Sequence, residues 1–152
     1  CRETGQLVPD NPGAFVRCAL ESLALIYRIT LRQLEKLAGR KIKQLHIVGV
    51  GSQNTLLINL PQTHFKFPSA QGSRNLLLNQ FAANALQIPV IAGPGECTAL
   101  GNILVQAIAL GHLPSLTAAR EVVRNSFEVI TVKPQSPAEW NAAFGQFEGL
   151  VK

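Results

Sequence analysis

The chain has 152 residues but no methionine, and it contains only one tyrosine, one tryptophan and three cysteines. No apolar run approaches the roughly 18 residues that a membrane-spanning helix needs. No basic segment followed by an apolar stretch resembles a signal peptide. We therefore expect a cytoplasmic protein without a membrane partner. Because the sequence opens on Cys1 and lacks methionine, we also expect it to be part of a longer polypeptide.

The three cysteines are too few for a disulfide-stabilised scaffold. None forms a CxxC pair or lies near a histidine at metal-ligand spacing, so we expect reduced thiols and no metal site. A bridge between Cys1 and Cys18 is an alternative that the sequence leaves open. Cys97 is interpreted as a small apolar residue, because no general base is identifiable beside it.

Binding to nucleic acid is not expected, although the net charge is +5. The basic residues between Arg17 and Lys43 alternate with Glu21, Glu35 and apolar residues, which is typical of a solvated helix face. Aromatic residues are sparse and form no base-stacking platform within a basic stripe.

Helix-like stretches, with apolar residues every three or four positions, alternate along the chain with short, continuous apolar runs typical of strands. Asn11 is a good N-cap before Pro12, and apolar residues then recur every three or four positions until Gly39, which predicts one long amphipathic helix. Short apolar runs at 44–49 and 88–93 predict buried strands, and 127–134 predicts a third strand or an extended segment. This alternation predicts an α/β domain with parallel strands and flanking helices.

Four further helices are expected in the second half of the chain. They cover 76–86, 96–110, 116–125 and a last segment that begins at Ser136, where Ser136 and Glu139 have the spacing of a capping box. The helix at 96–110 is apolar nearly all round, and we therefore expect it to be buried.

Two stretches have the strand, glycine turn and helix that suit a phosphate or a nucleotide: HIVGVGSQN (46–54) and IAGPGECTALGN (91–102). The first is neither GxGxxG nor a Walker loop with its lysine, and ordinary turn chemistry is an equally good explanation of it alone. Glu96 falls at a helix start, where its charge favours the helix dipole.

Taken in order, RCALESLALIYR (17–28), LHIVGVGSQN (45–54), LLNQFAANALQIPVIAGP (77–94) and ECTALGNILVQAIALG (96–111) resemble the C-terminal part of FGGY-family carbohydrate kinases. The resemblance implies part of an actin-like, ribonuclease-H-like ATPase domain. It also implies that the intact enzyme transfers the γ-phosphoryl group of ATP to a ketose sugar, in a cleft formed with the N-terminal half that this chain lacks.

By the same resemblance, the turn after the first strand contacts adenine and ribose of ATP or ADP through the backbone of Gly49, Val50 and Gly51 and through Asn54. The family usually has three consecutive glycines here, so Val50 is expected to weaken nucleotide binding. The catalytic aspartate, the phosphate loops and the Mg²⁺ site are expected upstream. Asp10, the single aspartate, is interpreted as a turn or capping residue, and we expect no catalytic residue and no metal ligand in this chain.

A near-repeat interrupts the family pattern. GSQNTLLIN (51–59) recurs 21 residues later as GSRNLLLNQ (72–80), and deletion of 55–75 would rejoin the turn to its helix. We interpret 55–75 as a loop inserted by local duplication within one partial domain, 1–152, with a functional lid as the alternative. A non-enzymatic remnant or scaffold module that keeps the kinase fold is the alternative for the function of the chain.

Overall fold

The computed structural model describes residues 8–48 and 76–151 of the chain. Eight elements follow in order: α1 (Pro12–Ala38), β1 (Leu45–Ile47), α2 (Leu76–Leu86), β2 (Val90–Ala92), α3 (Cys97–Ala109), α4 (Leu116–Ser126), β3 (Ile130–Val132) and α5 (Pro137–Glu148). None of the helices in these two stretches has the length and apolar character needed to cross a bilayer. The mixed α/β class expected from the sequence is confirmed.

The three strands form a small sheet in the order β1-β2-β3. The first two are parallel, with Leu45 opposite Val90, whereas β3 is antiparallel to β2, with Val132 opposite Val90. The expectation of parallel strands is therefore confirmed by β1 and β2, whereas β3, whose direction was not predicted, is antiparallel. Two helices separate β2 from β3, and they return the chain to the end of the sheet at which β2 stops.

The centre of the fold is α2, in which seven of eleven residues are buried. One face of α2 packs on Leu20, Ala24 and Leu25 of α1 and on Phe144 of α5, and the other packs on the strands. The helix therefore links the sheet to an outer layer made of α1 and α5.

The ends of α1 follow the sequence prediction. The Oδ1 atom of Asn11 accepts a hydrogen bond from the amide of Ala14 at 2.9 Å, and Gly39 ends the helix at a φ of +63°. That left-handed conformation strains residues with a Cβ, which explains the glycine.

The predicted capping box at α5 is wrong. Ser136 precedes the helix with a φ of +47°, and its side chain makes no capping hydrogen bond. Side-chain N-caps normally have extended backbone angles, so the left-handed conformation removes Ser136 from the capping position. Ser115 has extended angles instead, and its hydroxyl accepts from the amide of Ala118 at 3.2 Å to cap α4.

The predicted burial of α3 is also wrong within the described chain. No residue of α3 is buried, and Ile103 and Val105 are each 62% exposed. The main neighbour of α3 is α4, so α3 is not enclosed between the sheet and a second layer.

Two arginines of α1 fasten α5. The guanidinium groups of Arg28 and Arg32 each lie 4.4 Å from the ring centroid of Phe144. Arg28 also donates to Asn141 at 2.7 Å, and Arg32 donates to Glu148 at 3.1 Å. Burial, followed by repulsion from Arg32, lowers the pKa of Arg28 from its usual value.

Candidate functional site

The carboxyl ends of the parallel strands β1 and β2 form the candidate site. Ile47 lies opposite Ala92 at the end of the pair, and the amide of Gly93 donates to the carbonyl of Ile47 at 2.9 Å. In α/β sheets, ligands bind in the crevice outside the carboxyl ends of the strands. The two predicted turns both leave the sheet at this edge.

The space beside Gly93 is tight. A Cβ on Gly93 would lie 3.0 Å from Cγ1 of Val48, a separation at which the valine has to move. Gly93 and Pro94 are both buried. This side of the site is therefore built by close-packed backbone.

The start of α3 lies directly after this edge. Its N-cap is Glu96, whose side chain makes no capping hydrogen bond to the first amides of α3. Cys97 is the first helical residue and a half-buried free thiol. Val48 and the segment from Gly93 to Cys97 include no lysine or arginine.

The predicted site residues Gly49, Val50, Gly51 and Asn54 follow Val48 in the sequence and lie outside the described residues. Their contacts with adenine and ribose stay a prediction. The predicted insertion at 55–75 also lies outside the described residues.

A buried polar residue that the sequence analysis missed lies in the first half of α2. Asn79 is 1% exposed, and its Nδ2 atom has no hydrogen-bond partner among the residues that the structure describes. A buried donor without an acceptor costs about 1 to 3 kcal/mol, so native proteins rarely retain one. The signal in the sequence was an amide within the apolar helix LLLNQFAANAL.

Asn84, one further buried amide of α2, has a structural role. Its Oδ1 atom accepts from Nε2 of Gln80 at 2.8 Å and from the amide of Gln135 at 2.7 Å. These bonds tie α2 to the segment before α5. The contrast shows that the unpaired Nδ2 of Asn79 is not a general feature of this helix.

Other candidate residues from the sequence do not assemble into a site. Asp10 is exposed and accepts from Nδ2 of Asn11 at 2.8 Å, next to the cap of α1. Cys18 is a free thiol, and Cys1 lies outside the described residues. Across 8–48 and 76–151, no group of three His, Cys, Asp or Glu side chains is placed to hold a metal ion.

An open cleft at the C-terminal end of α1 contains several charged side chains, but its closest charges are paired. Lys41 lies 2.8 Å from Glu35, and Arg32 lies 3.1 Å from Glu148. Hydrogen bonds from Lys41 and from the amide of Ile42 lower the pKa of Glu35. The pairing agrees with a solvated helix face and does not indicate a ligand site.

Comparison with known proteins identifies the family. The sequence pattern described as the "FGGY family of carbohydrate kinases, C-terminal domain" matches residues 2–61 and 71–110. The chain belongs to the FGGY family. Its matched region covers α1, both parallel strands, α2 and α3, and thus both turns of the candidate site.

Within the family, the chain is similar to three rhamnulokinases. A rhamnulokinase of Bacteroides thetaiotaomicron is 41% identical over all 152 residues, which correspond to 27% of that relative. A rhamnulokinase of Enterococcus faecalis is 43% identical over 129 residues, 84% of this chain and 22% of the relative. A third, of Pectobacterium atrosepticum, is 37% identical over 150 residues, 99% of this chain and 26% of the relative. The chain thus spans about a quarter of the length of the rhamnulokinases it matches.

Proposed function

We propose that this chain is the adenosine-binding C-terminal portion of a rhamnulokinase-like sugar kinase. The intact enzyme would transfer the γ-phosphoryl group of ATP to L-rhamnulose and release ADP and the 1-phosphate. The observation that carries the proposal is the 41% identity to a rhamnulokinase over the full 152 residues. The family resemblance of the glycine turn supports a nucleotide at the carboxyl ends of β1 and β2.

The residues of this edge fit the base and ribose of a nucleotide better than its phosphates. Backbone amides and the Asn54 carboxamide of the predicted turn supply neutral donors and acceptors of the kind that purine and ribose edges use. The described residues that follow β1 and β2 supply no cation for a triphosphate. The phosphate loops and the catalytic aspartate are therefore proposed to lie in the N-terminal half.

Magnesium does not fit the described residues of this chain. Phosphoryl transfer uses Mg²⁺ to neutralise the β and γ phosphates, and that ion prefers carboxylate and phosphate oxygens. Glu96 is the one carboxylate between Gly93 and Cys97, and no metal-ligand cluster is present in the described stretches. We therefore assign no step of the reaction to Mg²⁺ held by this chain.

A non-enzymatic remnant that keeps the kinase fold is the second candidate. Val50 stands where the family usually has glycine, and the family pattern leaves residues 62–70 unmatched. A β-branched residue that has to adopt positive φ stores about 1 to 3 kcal/mol of strain. Val50 belongs to the predicted adenosine turn and residues 62–70 follow it in the sequence, so these departures favour a chain that has lost nucleotide binding.

Calorimetric titration separates these two candidates. The chain, its Val50→Gly variant and a variant without 55–75 are each titrated with ADP, adenosine and inorganic pyrophosphate. We expect adenosine and ADP to bind with similar affinity and pyrophosphate not to bind. Relief of 1 to 3 kcal/mol of strain in Val50→Gly corresponds to affinity higher by about 5- to 150-fold. Absence of binding by all three proteins would contradict an adenosine site that this chain forms by itself.

A further inference from the structure

The buried Asn79 belongs to the face of α2 that packs on the sheet. Three further residues of this face, at the i+3, i+4 and i+7 positions from Asn79, are Ala82, Ala83 and Leu86. They form a buried cluster with Val90 of β2, against which Ile47 of β1 packs. Residues at these spacings share one side of a helix. The carboxamide of Asn79 is therefore the polar end of an otherwise apolar face.

The direction of α2 places Asn79 at the candidate site. In a crossover between parallel strands, the helix returns the chain from the carboxyl end of the first strand to the amino end of the second. Leu86 ends α2 shortly before Val90, which begins β2. Asn79 precedes Leu86 by two turns, about 10 Å along the helix axis, and the three residues of β2 span about the same length. Asn79 thus lies level with the carboxyl ends of β1 and β2.

The donor of Asn79 is free at a place where other donors are paired. Its Nδ2 atom is buried without an acceptor among the described residues, whereas the amide of Gly93 at the strand ends donates to the carbonyl of Ile47. A leucine at position 79 would complete the apolar face of α2. An unpaired buried donor disfavours the folded chain, so its presence indicates that an acceptor becomes available in another state of the protein.

We propose that Asn79 is a positioning residue of the adenosine site, whose Nδ2 atom donates to a main-chain carbonyl at the carboxyl end of β1 when adenosine is bound. The inference rests on the proposed function, because it takes the carboxyl ends of β1 and β2 as the adenosine site. Asn79 does not touch the nucleotide, since its side chain is buried between α2 and the sheet. It fixes the main chain at the strand end, and a neutral amide and carbonyl can pair there without burying a charge.

This role couples stability and affinity in opposite directions. Asn79→Leu removes the unpaired donor from the free chain and the hydrogen bond from the bound chain, so it stabilises the free chain and weakens adenosine binding. Asn84→Leu is the matched control, because it makes the same chemical change farther from the strand ends on the same helix. It breaks the hydrogen bonds to Gln80 and Gln135 and is expected to lower stability without changing the affinity of the folded chain for adenosine.

Calorimetric titration with adenosine and urea unfolding are carried out on the full chain, on Asn79→Leu and on Asn84→Leu. We expect Asn79→Leu to be more stable than the wild type and to bind adenosine about 5-fold more weakly. We expect Asn84→Leu to be less stable and to bind as tightly as the wild type. Gln80→Leu, which removes one of the same hydrogen bonds, replaces this control if Asn84→Leu does not fold. All changes are repeated in Val50→Gly if the wild type binds too weakly to measure.

The side-chain amide resonance of Asn79 in NMR spectra gives a second readout and is assigned by its loss in Asn79→Leu. We expect adenosine to move the amide protons downfield, as formation of a hydrogen bond requires. Equal affinity of Asn79→Leu and its parent, equal weakening in the control variant, or an unmoved resonance at saturating adenosine would overturn this inference and leave the adenosine site in place. Absence of adenosine binding in both the wild type and Val50→Gly would overturn the proposed function and this inference with it.

Discussion

Replacement of Phe144 by alanine tests how α5 is held. Phe144 is 3% exposed, contacts the core of α1 and α2, and has two guanidinium groups at 4.4 Å from its ring centroid. Truncation of a buried phenylalanine costs about 3 to 5 kcal/mol, and a partly exposed cation–π contact contributes about 0.5 to 1 kcal/mol. Because these contributions overlap, we expect Phe144→Ala to lower the free energy of unfolding by about 4 kcal/mol.

Trp140 provides the signal for this measurement. It is the single tryptophan, it lies on α5, and its ring centroid is 5.5 Å from that of Phe81. Urea unfolding is followed by Trp140 fluorescence for the wild type, for Phe144→Ala and for Phe144→Leu. The leucine variant keeps an apolar side chain in the core and loses the ring, so we expect it to lose only about 1 to 2 kcal/mol.

A loss below about 1 kcal/mol in Phe144→Ala would refute the packing of α5 on α1, since even a modest core truncation costs more. Equal losses in the alanine and leucine variants would refute the assignment of most of the effect to apolar burial. They would place it in the contacts between the ring and the two arginines.

Three further predictions follow from the described contacts. Asn79→Leu removes an unpaired buried donor and is expected to raise the free energy of unfolding by about 1 kcal/mol. Asn84→Leu breaks two hydrogen bonds and is expected to lower the free energy of unfolding by about 2 kcal/mol. Changes of the same sign for both variants in urea unfolding would contradict this contrast. The pKa of Glu35 lies below its usual 4.5, so its contribution to stability is present above that pH and is lost as pH falls through the lowered value. Thermal midpoints of wild type and Glu35→Gln should therefore differ at pH 6 and converge in acid, and a constant difference would count against the hydrogen bonds from Lys41 and Ile42. The double change Ile103→Gln and Val105→Gln, at sites that are each 62% exposed, is expected to leave the thermal midpoint unchanged, and a clearly lower midpoint would show that α3 is packed.

The features that the sequence predicted are those set by neighbours along the chain. The cap at Asn11, the stop at Gly39 and the positions of β1 and β2 depend on local backbone chemistry, and the structure confirms them. The predicted burial is confirmed for β2 but wrong for β1, in which no residue is buried. The family assignment also came from ordered local motifs, and the comparisons confirm it.

The features that the sequence did not predict depend on distant contacts. The direction of β3 depends on how two helices return the chain, and hydropathy does not encode that path. The exposure of α3 depends on which layers surround it, because an apolar helix is buried only where a second layer exists. Ser136 had the right spacing for a cap but not the backbone angles.

The candidate site was predictable in part. Its two strand ends followed from the glycine turns, whereas the tight space beside Gly93 and the buried Nδ2 of Asn79 depend on packing across the sheet and α2. Neither feature has a local sequence signature beyond a glycine or an asparagine at an unusual place.

The kinase activity of a chimaera between this chain and a rhamnulokinase tests most directly whether the chain is the adenosine-binding part of a sugar kinase. In this chimaera, the chain replaces the matched segment of the Bacteroides thetaiotaomicron rhamnulokinase. ATP-dependent phosphorylation of L-rhamnulose is measured for the chimaera, for a variant without residues 55–75 and for the Val50→Gly variant. We expect phosphorylation of L-rhamnulose, with a lower KM for ATP in Val50→Gly. A folded chimaera that remains inactive with the deletion and Val50→Gly combined would contradict the claim that this chain is the adenosine-binding part of such a kinase.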